Sequence, residues 1–211
     1  MVRSWQVVWG ALTVLLPAGN SFAETLPEPP TLSVQDLQKL APELRRGGYV
    51  IYFRHLDTRQ EQEDVQPVDL GDCAKQRNLS SEGIARGRAI SKAFRELQIS
   101  VGNVISSPFC RTVETGKLIA GKASTDEDLF FAISLTKEGK ERKGAALRKL
   151  LARVPEKGKN TVIIGHTANL QEAVGLWPKP EGVAYIIRPD GTGNISLVGR
   201  IEPDTWGAAV R

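Results

Sequence analysis

Two cysteines, two histidines and one methionine are all that 211 residues contain of these side chains. Two cysteines cannot complete a structural zinc site, and the histidines show no His-Glu-x-x-His or comparable ligand spacing, so a metalloenzyme is the weakest of the available readings. Any histidine chemistry falls to His55 or His166. Charge of either sign is not in excess: 28 basic residues face 24 acidic ones, for a net charge of +4, and the cations are scattered rather than gathered in a tract. Nucleic-acid binding is therefore not expected. Repeats, low-complexity stretches and an interdomain linker are missing as well. What remains, 41% hydrophobic and 25% charged, reads as one globular domain rather than a disordered tail or a disulfide-stapled miniprotein.

The longest apolar run, Trp5 to about Leu16, follows the single cation Arg3 and leads into Pro17, Gly19 and Ser21-Phe22-Ala23. It is shorter than the roughly 20 residues of a spanning helix and has the three-part form of a secretory signal peptide. No cysteine follows it to carry a lipid. The expectation is cleavage after Ala23, a mature domain of residues 24–211, a periplasmic or secreted location, and no stable membrane insertion. Export changes how Cys73 and Cys110 read, because in an oxidising compartment such a pair forms a disulfide. Closing the loop from 73 to 110 would contribute about 4 kcal/mol by chain entropy. Two unrelated buried thiols are the alternative.

Beyond the proline-rich leader 24–31, Ser33 offers an N-cap to a helix carrying Leu37, Leu40, Ala41 and Leu44 and stopped by Gly47-Gly48. The unalternating run Tyr49–Phe53 predicts a strand buried on both faces, as does Thr161–Gly165. Residues 56–79 read as an irregular polar loop. An amphipathic helix is expected over Ser81–Leu97, a strand over Asn103–Ser106, a helix through Ile119, and a cationic, outward-facing helix over Lys140–Val154. Leu129–Leu135 is an apolar extended segment without an assigned role. Val183–Arg188 and Ile195–Ile201 form a hairpin through Pro189–Gly193. Strands alternating with helices predict a three-layer α/β/α sandwich around a mixed, mostly parallel sheet.

His55 and His166 each stand just past the carboxyl end of a buried strand, the edge at which open α/β sheets bind ligands. A lone histidine there is usually structural; the whole histidine content placed so points to a site. Arg54 precedes one of them, and Arg111 opens a helix after a strand, where helix N–H groups and a guanidinium together suit an anion. Two arginines and two histidines on one sheet edge would enclose a dianionic phosphoryl group.

These residues resemble the histidine phosphatase superfamily, in its phosphoglycerate mutase-like branch. Arg54-His55 resembles that family's Arg-His pair, Leu79-Ser-Ser-Glu-Gly83 its Leu-Thr-x-x-Gly, Ser106–Thr115 its Ser-Ser-x-x-x-Arg-x-x-x-Thr segment, and Gly165-His166 its second histidine, in that order. The resemblance implies a phosphoglycerate mutase-like fold and a phosphatase that forms phosphohistidine on His55 without metal or cofactor. Arg54, Arg111 and His166 would hold the phosphate oxygens, and Ser107 would add a donor or serve as a turn residue before Pro108. The chain departs from the pattern at its acids. Leu129–Leu135 occupies the region where mutase-like members carry a proton-donating glutamate, and Thr167 follows His166 where another branch has aspartate. Asp57 is the first candidate for the general acid, ahead of Glu138 and Glu172. The expected substrate is a phosphorylated small molecule or envelope glycan. The rival is a non-catalytic phosphate-binding module with the same pocket.

Overall fold

The computed structural model describes residues 25–211. The expected signal segment 1–23 lies outside them. Six strands form one sheet in the order β3-β2-β4-β1-β5-β6. They are β1 (Val50–Arg54), β2 (Val101–Ser106), β3 (Ser124–Thr125), β4 (Asn160–Gly165), β5 (Ala184–Pro189) and β6 (Ile195–Ile201). The first four run parallel, and the β5–β6 hairpin joins antiparallel beside β1.

Successive residues of β1 face opposite layers. Ile51 and Phe53 pack with α1 (Val34–Arg46), α2 (Ser81–Glu96), α3 (Cys110–Ala120) and α6 (Pro203–Ala208), whereas Val50 and Tyr52 pack with α4 (Lys137–Leu151) and α5 (Thr167–Val174). Burial on both faces is why this strand and β4 read as unbroken apolar runs. The expected three-layer sandwich is the observed architecture. Ser33 caps α1 in a capping box with Asp36, and Ser80 caps α2 through the amide of Gly83.

The structure corrects several boundaries. Strand β2 begins at Val101 and α4 at Lys137, earlier than the apolar periodicity indicated. Leu129–Leu135 is not extended; it contains the end of one 3₁₀ turn, Glu127–Leu129, and a second, Ala132–Ser134. Within α4 the face is not uniformly solvated, because Lys143 is buried and bonds the Glu127 carbonyl and Asp128. The short β3, α5 and α6 have no counterpart in the sequence reading. Among the described residues no helix is long and apolar enough to cross a membrane.

Candidate active site

Three parallel strand ends assemble the site. In the β1–β4 register Arg54 stands opposite Gly165, and the His55 amide donates to the Gly165 carbonyl at 3.1 Å. On the other side of β4 the Ser107 amide donates to Ile164 at 3.0 Å. Parallel pairing thus brings Ser107, His166 and His55 side by side, with the two imidazole centroids 5.4 Å apart. Gly165 must be glycine for a packing reason: a Cβ there would lie 2.4 Å from the Tyr52 hydroxyl. That hydroxyl donates to the His166 carbonyl at 2.8 Å. Gly83 answers a similar need, since its Cβ would fall 2.2 Å from the Asp57 carbonyl, where α2 crosses the turn after His55.

The ring of His55 is oriented by a short relay. Thr115 accepts the Leu56 amide at 3.1 Å through Oγ1, and its hydroxyl donates to the Arg111 carbonyl at 2.7 Å. Leu56, held this way, presents its carbonyl 2.9 Å from His55 Nδ1. A carbonyl only accepts, so Nδ1 carries the proton and the lone pair of the neutral ring sits on Nε2. Burial, then Arg111, Arg54 and Arg77, hold His55 well below the ordinary histidine pKa. Burial likewise leads for His166, followed by Arg111 and His55. Both rings are therefore neutral, the form a nucleophile needs.

Arginines surround the pair. Arg54 donates to Glu181 at 2.9 Å, and Arg111 to Asp64 at 2.8 Å while stacking 4.4 Å over Phe109. A third guanidinium joins them: Arg77 lies 3.6 Å from Glu181, its amide donates to Asp64, and its carbonyl accepts from Arg111. Three guanidinium groups against two carboxylates leave the cluster positive. Ser107 is fully buried, and its hydroxyl lies 2.9 Å from His166 Nε2, so it steadies that ring.

The loop 56–79 is tied down from the same side. Cys73 and Cys110 are bonded as a disulfide. Gln76, also buried, accepts the Cys110 amide at 2.9 Å, serving α3 where its N-cap residue Phe109 has no capping side chain. Thus α3, Arg111 and Arg77 share one set of braces.

The acids are placed differently from the expectation. Asp57 bonds Arg86 at 2.7 Å through Oδ1, and Arg86 also grips Asp204, which ties this carboxylate to α2 and α6, while its Oδ2 is buried without a partner. Glu138 stands exposed in the first turn of α4, and the Glu172 backbone packs on Gly144. The carboxylates that do touch the pocket are Asp64 and Glu181; Glu181 also accepts the Thr58 amide at 2.8 Å. Sequence reading missed Arg77, Asp64 and Glu181. All three sit in polar segments without periodicity, and only the distance of Arg77 from the Leu79–Gly83 motif offered a signal.

No family model and no curated protein sequence matches the chain. Solved structures do. Ecdysone phosphate phosphatase from Bombix mori, in complex with tungstate, is 17% identical with TM-score 0.55, covering 74% of this chain and 93% of that one. Phosphoserine phosphatase from Entamoeba histolytica, with 3-phosphoglyceric acid, gives 14% and 0.53 over 75% and 98%. The protein histidine phosphatase SixA complexed with tungstate gives 16% and 0.50 over 74% and 97%. The chain has the phosphoglycerate mutase-like α/β fold, the fold of histidine phosphatases.

Proposed function

We propose that the protein is an exported member of the histidine phosphatase superfamily that hydrolyses phosphomonoesters through a phosphohistidine on His55, without a metal. One observation carries the reading. Among the described residues, Arg54 Nε, Arg111 Nε and His166 Nδ1 are buried polar atoms with no partner, and all three belong to the cationic cluster around His55. Arg200 Nε and Trp206 Nε1 are also without a partner but stand apart from the cluster; the convergence of three open polar atoms on one pair of histidines is what supports a ligand there, and a tetrahedral dianion matches donors arriving from several sides.

The neutral Nε2 of His55 attacks phosphorus in line, and the bond to the leaving oxygen breaks. Arg54, Arg111, Arg77 and His166 meet the charge on the equatorial oxygens, supplying by position and electrostatics what the reaction asks for. Water then cleaves the phosphorus–nitrogen bond and restores the imidazole. Asp64 and Glu181 are engaged by arginines and Asp57 by Arg86 through Oδ1 alone; none is bonded to either histidine, and in this reading the leaving oxygen takes its proton from water. The signal-like residues 1–23 and the disulfide support an oxidising location, and an envelope glycan phosphate is the substrate we propose.

Engagement of both pocket carboxylates is also what a phosphate-binding module would show. Hydrolysis of a general phosphomonoester separates the two. Turnover with a pre-steady-state burst and a trapped phosphohistidine, both abolished in His55→Ala, supports the enzyme; saturable phosphate binding without either supports the module. Undiminished turnover in His55→Ala would end the catalytic assignment, and loss of turnover on chelation would end metal independence.

A further inference from the structure

His166 is flanked by a wall of aromatic rings. Phe131 lies tilted against it with centroids 4.7 Å apart, Phe109 meets it edge-on at 5.1 Å, and Phe130 packs on Phe109 at 5.1 Å. Phe109 is buried, whereas Phe131 is only partly so, and the neighbouring Ile133 is 51% exposed. The wall is held rigidly. Asn169, fully buried on α5 three residues after His166, donates to the carbonyls of Leu129 and Phe130 at 3.2 and 2.9 Å and accepts the Ala132 amide at 3.4 Å. Lys143 braces the preceding turn from α4. One buried amide thus satisfies three backbone groups of an otherwise irregular segment and fixes it to the helix that starts directly after His166.

We propose that Phe131 is a specificity-determining residue, the flat wall on which a ring bearing the phosphoryl group lies, so that ring-borne phosphomonoesters are preferred over acyclic ones carrying a carboxylate. The proposal rests on the phosphatase reading and narrows its substrate. Phe131 turns one face to His166 and stays partly exposed on the rest, so a ring attached to a phosphate oxygen at His166 would lie against that open side, and an apolar ring face gains by lying offset on an aromatic one. A carboxylate in the same place would be stripped of water against Phe131 and Ile133 with no donor offered by their side chains. An aryl phosphate presents a flat apolar face, and a pyranosyl phosphate the apolar C–H patch on one side of its chair.

The test compares kcat/KM for phenyl phosphate and a hexopyranosyl phosphate with that for 3-phosphoglycerate and phosphoserine. A preference of about tenfold for a ring substrate is expected, equivalent to about 1.4 kcal/mol. It should collapse towards one in Phe131→Ala and in Phe131→Leu, the second keeping apolar volume while removing the flat face. Preference for the aryl arm alone or the sugar arm alone supports the wall and names the ring. Equal turnover of all four, abolished in His55→Ala, overturns the wall and leaves the phosphatase reading standing; a preference unchanged in both Phe131 variants also overturns it. If turnover proves independent of His55, calorimetry of phenyl phosphate and 3-phosphoglycerate on His55→Ala reads the wall separately: tighter phenyl phosphate binding supports it, and equal affinities or no binding overturn it.

Discussion

The Tyr52 hydroxyl, on β1, donates to the His166 carbonyl at the end of β4, and it occupies the space that a Cβ on residue 165 would need. The strand that delivers one histidine therefore secures the backbone of the other. Tyr52→Phe leaves that buried carbonyl without its donor and should cost about 1–3 kcal/mol. Gly165→Ala forces a carbon into the hydroxyl and should be more damaging to activity. Chemical denaturation and phosphatase assays of the two variants check the order; a Gly165→Ala enzyme as active as Tyr52→Phe would contradict the packing argument.

Two charged residues near His55 should behave in opposite ways. Arg77→Ala removes a guanidinium from the cationic cluster around His55 and, on the phosphatase reading, should raise KM for a phosphomonoester at least tenfold. Asp57→Asn weakens the Oδ1 pair with Arg86, which Arg86 shares with Asp204, and replaces an Oδ2 that bonds nothing. It should leave the pH–rate profile unaltered and cost at most about 1 kcal/mol of stability, the usual range for such partly exposed pairs. Steady-state kinetics on both variants across pH decides, and loss of a limb of the profile in Asp57→Asn would return that residue to a proton-donating role.

Both histidines titrate below the ordinary value when folded, because burial and the surrounding arginines disfavour the imidazolium. The unfolded chain then binds more protons than the folded one as pH drops through about 6.5. Stability should accordingly fall on acidification below that pH, by at most about 1.4 kcal/mol per pH unit for each histidine. Urea titrations between pH 7.5 and 5 measure the slope, which His55→Asn should reduce.

The disulfide from Cys73 to Cys110 anchors the loop that carries Asp64, Gln76 and Arg77 to the start of α3, directly before Arg111. Reduction, or Cys73→Ser with Cys110→Ser, should lower stability by about 4 kcal/mol and raise KM more than it lowers kcat. Thermal melts and kinetics with and without reductant test this. A reduced enzyme with unchanged KM would show that the loop holds its arginine without the bridge.

The layers of the fold, the two buried strands and the ends at which His55, His166, Arg54 and Arg111 stand were legible in the sequence. Strands buried on both faces appear as apolar runs, and a polar residue that ends such a run is conspicuous. The tautomer of His55 was not legible, because it depends on Leu56 being held by Thr115, 59 positions away. Nor were Arg77, Asp64 and Glu181, drawn from aperiodic segments; Glu181 meets Arg54 across 127 positions. The apolar segment 129–135 showed its composition but not its purpose, since only the fold places Asn169 behind it and His166 in front. Local periodicity records which face of an element is buried. Which strand ends adjoin, which loop folds back over them and which carboxylate each arginine finds are long-range choices, and those were made by the packing of the sheet.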